Sequence, residues 1–302
     1  MNEQYRRQVT LLVRTLPIVA QERCFALKGG TAINLFVRDM PRLSVDIDLT
    51  YLPVSAWAES TADIGRAMAK IAEEISRKIR GAVCNLPPDK YGLLTKILVR
   101  ADGVQIMIEV TPVLRGCVYE PEMRTTSERV QRDFGFAETQ VVSWADLYAG
   151  KIMAALDRQH PRDLFDVRDL LAKEGVNAQL RAAFIVYLLS HNSATHAVLN
   201  PTRKDISGEF TGSFSGMTSE PVRLEELLEA REKLVSEIVG RMPTIHREFL
   251  LSFEKGEPDW SKLEISHAKD LPAVRHRILN LAKVTDAKRA GLVSKLERIL
   301  KA

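Results

Sequence analysis

Two aspartates separated by one residue are the side chains of this sequence best suited to chemistry. Asp46 and Asp48 alternate with Val45, Ile47 and Leu49, and this period of two is typical of a β-strand. Alternate side chains of a strand point to the same face, so the two carboxylates lie side by side. Neighbouring carboxylates repel each other unless a cation lies between them, and Mg²⁺ prefers such oxygen ligands. The pattern therefore predicts a metal site, although a solvated strand face carries the same pattern.

A pair of glycines lies ahead of the aspartates, where a short apolar run meets a helical pattern. Residues 25–27 are apolar, Gly29 and Gly30 follow, and residues 31–38 have apolar side chains at helical spacing. Backbone amides at such a strand-to-helix turn are uncovered and lie at the positive end of a helix, so they bind phosphate well. Alone, such a turn is more often structural. Together with paired carboxylates it indicates phosphoryl or nucleotidyl transfer.

These residues resemble the signature of the polymerase-β-like nucleotidyltransferase superfamily. More narrowly, Lys-Gly-Gly-Thr and the later Arg-x-Ser-x-Asp-Ile-Asp-Leu are similar to the AbiEii/AbiGii toxins. Those proteins are the nucleotidyltransferase halves of bacterial toxin–antitoxin and phage-defence pairs. The resemblance implies that the turn holds the nucleotide phosphates and that the aspartates hold the metal. The shared positions are Gly29, Gly30, Thr31, Arg42, Ser44, Asp46 and Asp48.

The same resemblance implies a third metal-binding carboxylate on a strand that follows the Asp-x-Asp strand. Residues 93–99 and 104–110 alternate as two strands, and Asp102-Gly103 between them is a strong hairpin signal. Glu109 lies late in the second strand and is the candidate, although an exposed edge position has the same pattern. Asp102 lies in the turn and is the weaker candidate.

A second group of charged residues lies in a helical region further along the chain: Lys151, Arg158, Arg162, Asp163 and Asp166. The pattern alone indicates ion pairs on the surface of a helix. The run is also similar to the second motif of the AbiEii-type toxins. That resemblance implies that Lys151 approaches the nucleotide phosphates and that both aspartates belong to the active site, with the two arginines as weaker candidates. Asp166 either orients Lys151 or acts as a base on the attacking hydroxyl, and the pattern does not choose between these roles.

Helical and strand patterns elsewhere predict an α/β (α+β) protein with two lobes. The N-terminal lobe, residues 1–115, carries a small mixed sheet with helices at 4–22 and 55–80. The second lobe, residues 116–302, is mainly helical and is expected to complete the active-site cleft and to contact RNA. Residues 112–136 are polar and are predicted to be a linker or a flexible segment that crosses to the next lobe. The helices predicted after it span residues 144–156, 179–189, 223–239, 243–253, 271–281 and 287–300, with another starting at 161.

The composition sets broad limits on what the chain does. Its 302 residues are 45% hydrophobic and 27% charged, as in ordinary globular proteins, and a net charge of +4 permits a nucleic-acid partner. Cys24, Cys84 and Cys117 are scattered and lack zinc-type spacing, which favours a reducing cytoplasm. The longest apolar run, residues 182–189, is too short to span a bilayer, so no membrane partner is expected.

Three features bear on an RNA partner. Basic residues dominate from residue 275 onward, Phe210 and Phe214 lie in a long polar loop at 191–221, and Lys96 lies in the first of the hairpin strands. Each feature fits RNA backbone or base contacts. Each also has an ordinary alternative: a solvated charged face, loop anchors and a snorkelling lysine.

The resemblance implies a toxin that transfers a nucleoside monophosphate from an NTP to an acceptor hydroxyl and releases pyrophosphate. Asp46, Asp48 and Glu109 would hold one or two Mg²⁺ ions. The acceptor would be the 3′ end of tRNA, which would block translation, and a cognate antitoxin would accompany the toxin. The alternatives are the same chemistry on a small molecule or a protein hydroxyl, or a non-catalytic nucleotide-binding protein. The position of Thr31 also raises the question whether its phosphorylation silences the enzyme.

Overall fold

A seven-stranded mixed sheet lies at the centre of the first part of the chain in the computed structural model, which describes residues 3–301. The strands are β1 (Phe25–Lys28), β2 (Asp46–Tyr51), β3 (Val83–Asn85), β4 (Lys96–Ala101), β5 (Val104–Arg115), β6 (Glu122–Thr125) and β7 (Glu138–Val141). Their order is β3-β4-β5-β2-β1-β7-β6. Strand β2 runs parallel to β5 and β1 runs parallel to β7, whereas the other neighbours are antiparallel. The predicted α/β class is confirmed.

Two long helices hold one face of this sheet. The helices up to residue 143 are α1 (Glu3–Val19), α2 (Gly29–Ala32), α3 (Trp57–Lys78) and α4 (Glu128–Phe134), with α2 continued by a π-helical segment, Ile33–Val37. Helices α1 and α3 contact each other and β5. The predicted apolar stripe of α3, Ile64, Met68, Ile71 and Ile75, is buried. Burial of each such side chain stabilises the fold by about 1.5–3 kcal/mol, so this apolar stripe holds α3 against the sheet.

Residues 112–136 are not a linker, and the prediction based on their polar composition is wrong. Strand β5 continues to Arg115, and β6 and α4 follow within the same range. Val130 and Phe134 of α4 are buried. Only these two apolar residues, one turn apart, anchor α4, and its other residues are polar. The polar composition of the segment therefore gave no clear signal for a helix.

The chain divides into two compact units. The first comprises residues up to Ser143 together with residues 216–221, and the second comprises Trp144–Ser215 and the residues from Val222 onward. The first unit therefore extends past residue 115, where the sequence analysis drew the boundary. It does so because β7 pairs with β1 inside the sheet.

Residues 216–221 join the first unit through backbone hydrogen bonds to the segment that precedes β2. The amide of Leu43 donates to the carbonyl of Met217 (2.9 Å), and the amide of Ser219 donates to the carbonyl of Pro41 (2.8 Å). Arg42 and Thr218 form an isolated antiparallel bridge between the two segments. The prediction of one long loop at 191–221 is wrong, since Thr195–Leu199 and Ser207–Ser213 are helical, and the segment ends in this short β-like contact.

The second unit is helical, as predicted. Its helices are α5 (Trp144–Asp157), α6 (Pro161–Lys173), α7 (Ala178–Leu189), α8 (Thr195–Leu199), α9 (Ser207–Ser213), α10 (Leu224–Val235), α11 (Thr244–Lys255), α12 (Pro272–Ala282) and α13 (Asp286–Lys301). Helix α7 contacts α5, α8 and α12, and its side chains are buried on nearly all sides. Of the helices described between residues 3 and 301, none combines the length and apolarity needed to cross a bilayer.

One arginine of the second unit binds backbone carbonyls near the ends of helices. Arg247 in α11 donates from Nε to the carbonyl of Met242 (2.9 Å) and from Nη2 to the carbonyl of Gly240 (3.0 Å). Its Nη1 donates to the carbonyl of Leu300 in the last turn of α13. Carbonyls at the end of a helix have no partner within it, so this guanidinium satisfies groups that would otherwise lack hydrogen bonds.

Replacing Arg247 with glutamine should destabilise the second unit by about 2–3 kcal/mol, since several hydrogen bonds to charged donors are lost together. The control is Arg241→Gln, because the side chain of Arg241 is 73% exposed and pairs only with Glu237 on the surface. Thermal and urea unfolding of both variants measure the effect. Equal unfolding midpoints for the two variants would contradict the assignment.

Candidate active site

Four charged residues form a row across the sheet. Asp48 on β2 is the register partner of Glu109 on β5 and of Lys28 on β1. Glu109 is in turn the partner of Lys96 on β4. Register partners on neighbouring strands point to the same face, so the row reads Lys96, Glu109, Asp48, Lys28. Asp46 lies two residues before Asp48 on the same strand and therefore on the same face.

The acids of this row lie among cations. Lys96 Nζ is 3.7 Å from Glu109 Oε1. Burial lowers the pKa of the Lys28 ammonium, against the opposing effects of Asp48, Cys117 and Glu109. Sequence reasoning missed Lys28 as a site residue. Its only sequence signal was its place in the Lys-Gly-Gly-Thr motif, because strand register is not visible in a sequence.

The glycine turn lies directly against Asp48. Gly29 has a φ of +74°, and a Cβ placed there would collide with Asp48 Oδ2. A Cβ on Gly30 would lie 2.8 Å from both Arg42 Nη2 and Ser44 Oγ. Gly29 therefore requires glycine for its backbone conformation and its closeness to Asp48, whereas a side chain at Gly30 would displace the ends of the Arg42 and Ser44 side chains.

Buried polar side chains hold the glycine turn in place through hydrogen bonds. Asn34 Nδ2 donates to the carbonyl of Gly30 (2.8 Å), and Asn34 Oδ1 accepts from the amide of Arg42 (3.3 Å). Arg42 is itself buried, and its Nη1 donates to the carbonyl of Leu43 (2.8 Å). These bonds hold the helix that follows the turn against the segment that leads into β2.

Thr31 is fully buried, and its hydroxyl serves the fold. Thr31 Oγ1 donates to the carbonyl of Asp46 (2.5 Å) and lies 3.1 Å from Ser44 Oγ. The side chain thus ties the turn to β2 just where the aspartates begin. Only the backbone of Thr31 is left to contact a phosphate, and phosphorylation of its hydroxyl would require the turn to open.

The donor chemistry of the row fits a divalent cation, since Asp46, Asp48 and Glu109 offer carboxylate oxygens on one face. The side chains do not converge as they stand: within residues 3–301, no group of three acidic, histidine or cysteine side chains is arranged to hold a metal ion. The reason is local, because Glu109 turns to Lys96 and Asp48 rests against the glycine turn.

The second predicted group forms a buried ion cluster. Lys151 in α5 is 7% exposed, and its Nζ lies 2.8 Å from Asp163 Oδ1 and 3.1 Å from Asp166 Oδ2. Both aspartates lie in the first two turns of α6 and are buried. The interpretation of these residues as surface ion pairs is therefore wrong. Arg158 Nε binds Asp163 Oδ2 (2.5 Å) from the solvent side, with its own side chain 63% exposed.

The charges of this cluster stabilise one another. Burial raises the pKa of Asp163, but Lys151 and Arg158 outweigh it and hold that pKa well below its ordinary value. Arg162 contributes its backbone amide, which donates to His160 Nδ1 at the start of α6. That bond and Pro161 in the first turn explain why α6 begins here.

Sequence reasoning also missed the residue that shapes the turn between α5 and α6. Gln159 has a φ of +53° and is buried. Its Nε2 donates to the carbonyl of Thr202 (2.8 Å), and its Oε1 accepts from the amide of Lys204 and from Arg231 Nη1 (3.1 Å each). An amide in a polar turn carries no sequence signal for these long-range contacts.

Comparison with family models identifies the chain. The model described as "Nucleotidyl transferase AbiEii toxin, Type IV TA system" matches residues 10–275. The chain belongs to the AbiEii nucleotidyltransferase toxin family. It is a nucleotidyltransferase toxin of a toxin–antitoxin system, as the sequence motifs implied.

A solved structure supports the fold of this AbiEii-family toxin. MenT4, a nucleotidyltransferase toxin from Mycobacterium tuberculosis H37Rv, is similar with a TM-score of 0.60 and 14% identity, over 93% of this chain and 95% of MenT4. A tRNA-processing enzyme in an apo form has a TM-score of 0.30 and 15% identity, over 98% of this chain and 75% of its own, which is too slight to inform function. Comparison with curated protein sequences finds no significant match.

The features that bear on RNA divide into two kinds in this AbiEii-family toxin. Phe214 is buried between Phe165 and Phe210, with ring centroids 5.8 and 5.7 Å away, so it is a core anchor and is not available to bases. Arg289 donates to the carbonyls of Lys255 and Leu281 and so caps helices. The basic residues that stay exposed on α12 and α13 or between them are Arg275, Lys283, Lys288, Lys295, Arg298 and Lys301.

Gly29→Ala should disturb Asp48, whereas Gly103→Ala should not. Both glycines have a φ of +74°, but nothing lies within 4 Å of a Cβ on Gly103. Backbone strain, about 1–2 kcal/mol, is therefore common to both variants, and only Gly29→Ala adds the collision with the carboxylate. Thermal unfolding and nucleotide transfer are the measurements. Equal losses in both variants would contradict the role of the contact.

Asp163→Asn should destabilise the toxin by about 2–4 kcal/mol at pH 7, because the buried Lys151 ammonium loses one of its two carboxylate partners. The cost is smaller than if Lys151 lost both partners, since Asp166 still faces it. Since the pKa of Asp163 is depressed on folding, its stabilising effect is present above the ordinary carboxyl pKa and is lost as the pH falls through the folded value. The gap in urea midpoint between wild type and variant should therefore be constant near neutrality and shrink in acid. Asp157→Asn, at an exposed position, is the control and should leave the midpoint unchanged.

Proposed function

We propose that this toxin transfers a nucleoside monophosphate from an NTP to a hydroxyl at the 3′ end of tRNA in a Mg²⁺-dependent reaction. The observation that carries the proposal is the contact between Asp48 and the Gly29 turn, with Glu109 as the register partner of Asp48. A turn of uncovered amides and a set of carboxylates then lie side by side. Nucleotidyl transfer needs both, one for the phosphates and one for the metal.

The roles follow from the chemistry of each group. The backbone of Gly29, Gly30 and Thr31, with the Ser44 hydroxyl beside it, would hold triphosphate oxygens. The carboxylates Asp46, Asp48 and Glu109 would hold one or two Mg²⁺ ions. When bound, these ions would offset charge on the attacking and leaving oxygens. The acceptor oxygen forms a bond to the α-phosphorus, the bond to the β-phosphate oxygen breaks, pyrophosphate leaves and the acceptor proton passes to a base or to water.

The buried ion cluster is assigned to the same reaction on the strength of the family motif. Lys151 would neutralise phosphate charge, and Asp163 and Asp166 would hold its ammonium in place. The 3.1 Å contact between Asp166 and Lys151, and the burial of Asp166, support the orienting role over that of a base. The exposed guanidinium of Arg158 extends the positive charge of this group toward solvent.

RNA is favoured as the acceptor by the exposed basic residues on α12 and α13 and between these helices. From residue 275 to 301 the chain has eight basic residues, of which Arg277 and Arg289 are occupied with backbone carbonyls. The exposed ones offer a charged surface to an RNA backbone. Modification of the tRNA 3′ end would stop translation, a target in the cytoplasm, and a cognate antitoxin would hold the activity in check.

One experiment distinguishes the proposed function from the three alternatives: a small-molecule acceptor, a protein hydroxyl and a non-catalytic binding protein. Purified protein is incubated with Mg²⁺, each α-³²P-labelled NTP in turn and total bacterial RNA, with small hydroxyl compounds tested separately. Label on RNA of tRNA size is the expected result and names the transferred base. Label on protein, or only on small compounds, would show that the acceptor is not RNA. Nucleotide binding without any transfer would show that the protein is a binding protein and not an enzyme.

Variants assign the transfer to the predicted carboxylates. Asp48→Ala should reduce transfer by at least about 100-fold, and Glu109→Gln should reduce it less, since electrostatic stabilisation of the reacting phosphate is lost. Asp102→Asn is the matched control, because Asp102 lies in the hairpin turn and pairs with Arg14 at 3.1 Å. Transfer that survives Asp48→Ala, or that is lost equally in Asp102→Asn, would rule the assignment out.

A further inference from the structure

Arg115 at the end of β5 is a buried cation whose hydrogen bonds are incomplete. The residue is 7% exposed, and its Nε and Nη1 atoms have no hydrogen-bond partner. An N–H group removed from water without an acceptor lowers stability. Among the described residues, Arg277 and Arg289 also have a buried Nε without a partner, but Arg115 lacks partners at two guanidinium atoms. Burial also lowers the pKa of Arg115, with only Tyr51 acting against it.

The neighbouring acids do not supply the missing acceptor. Asp63 on α3 accepts from the Tyr51 hydroxyl (2.6 Å) and from Arg66 (2.8 Å). Glu59, in the first turn of α3, is exposed. No ion pair joins Arg115 to any residue between 3 and 301. Among the described residues, the chain thus provides no acidic acceptor for the Nε and Nη1 atoms of this guanidinium.

The guanidinium lies against the first residue of a long helix. Its Cζ is 5.2 Å from the ring centroid of Trp57, which begins α3 and remains 49% exposed. The N-cap residue of this 22-residue helix is Ala56, whose side chain cannot accept a hydrogen bond from the first-turn amides. Two electropositive groups, the helix amino end and Arg115, therefore flank one indole ring.

We propose that Arg115, Trp57 and the amino end of α3 form a binding site for a phosphate group carried by a nucleotide. A guanidinium fork and free helix amides both suit phosphate oxygens. The exposed part of the Trp57 ring would stack with the base. The nucleotide is either free or part of an RNA strand, and the phosphate is common to both.

This site is separate from the one assigned to nucleotidyl transfer. Arg115 is the register partner of Tyr51, beyond an irregularity in the pairing of β2 with β5. Tyr51 lies three residues after Asp48 on β2, and the pairing of this stretch with β1 is regular. The two side chains of β2 therefore point to opposite faces of the sheet. The site does not rest on the proposed function, and either can fail without the other.

The indole N–H signal of Trp57 in a ¹H–¹⁵N spectrum gives a local readout on the full chain. The protein has three tryptophans, so Trp57→Phe assigns the signal by its disappearance. Inorganic phosphate, AMP and a 5′-phosphorylated RNA tetranucleotide are titrated without added divalent metal. We expect a saturable shift of the Trp57 signal and none at Trp144 or Trp260. Tighter binding of AMP than of phosphate supports base stacking, and a further gain with the tetranucleotide identifies an RNA strand.

Variants decide whether Arg115 is responsible. Arg115→Met should weaken binding by about tenfold or more, as expected when charge-assisted hydrogen bonds are lost. If that variant does not fold, Arg115→Lys keeps the charge but removes the fork, and should still bind more weakly than wild type. Arg66→Gln, on the exposed side of α3, should leave the titration unchanged. No saturable shift with any of the three compounds, or a shift that survives the change at Arg115, would overturn the proposal.

Discussion

The approach of Gly29 to Asp48 is the contact on which the proposed active site of this toxin depends. Antiparallel pairing of β1 and β2 sets Lys28 opposite Asp48, so the glycine that follows Lys28 comes to lie against the carboxylate. Parallel pairing of β2 with β5 then puts Glu109 on the other side of the same aspartate. The register of these strands therefore brings the glycine turn and the carboxylates together. A side chain at Gly29 would separate them, because the space it needs is already filled.

The two groups of ionic residues differ in how far they are exposed to solvent, and therefore in how strongly their charges depend on one another. On the sheet, Lys96 and Glu109 are partly exposed, and Lys28 is the other lysine beside the acids of the row. In the second unit Lys151 and both aspartates are buried, so each charge depends on the others for compensation. Separating buried charges costs far more than separating exposed ones. Lys151 is accordingly held between two buried aspartates, whereas Lys96 and Glu109 form a partly exposed ion pair.

Arginines in this protein serve three distinct purposes that a charge count does not separate. Arg247 and Arg289 bind backbone carbonyls at the ends of helices and are part of the scaffold. Arg42 packs below the glycine turn and shapes it. Arg115 is buried with two guanidinium N–H groups that lack an acceptor, and it belongs to the phosphate site proposed above. The difference lies in which acceptors the folded backbone brings within reach of each guanidinium.

The sequence alone determined the α/β class, the toxin family, the pairing of Asp46 with Asp48 on one strand face and most helices of the second unit. These conclusions were possible because strand alternation, helical periodicity and motif spacing are local. Only the tertiary structure decided that Glu109 is the register partner of Asp48, that Lys151 and its aspartates are buried, that residues 112–136 belong to the sheet unit and that Phe214 is a core residue. Register, burial and the choice of hydrogen-bond partner are set by segments far apart in the chain, so no local pattern contains them.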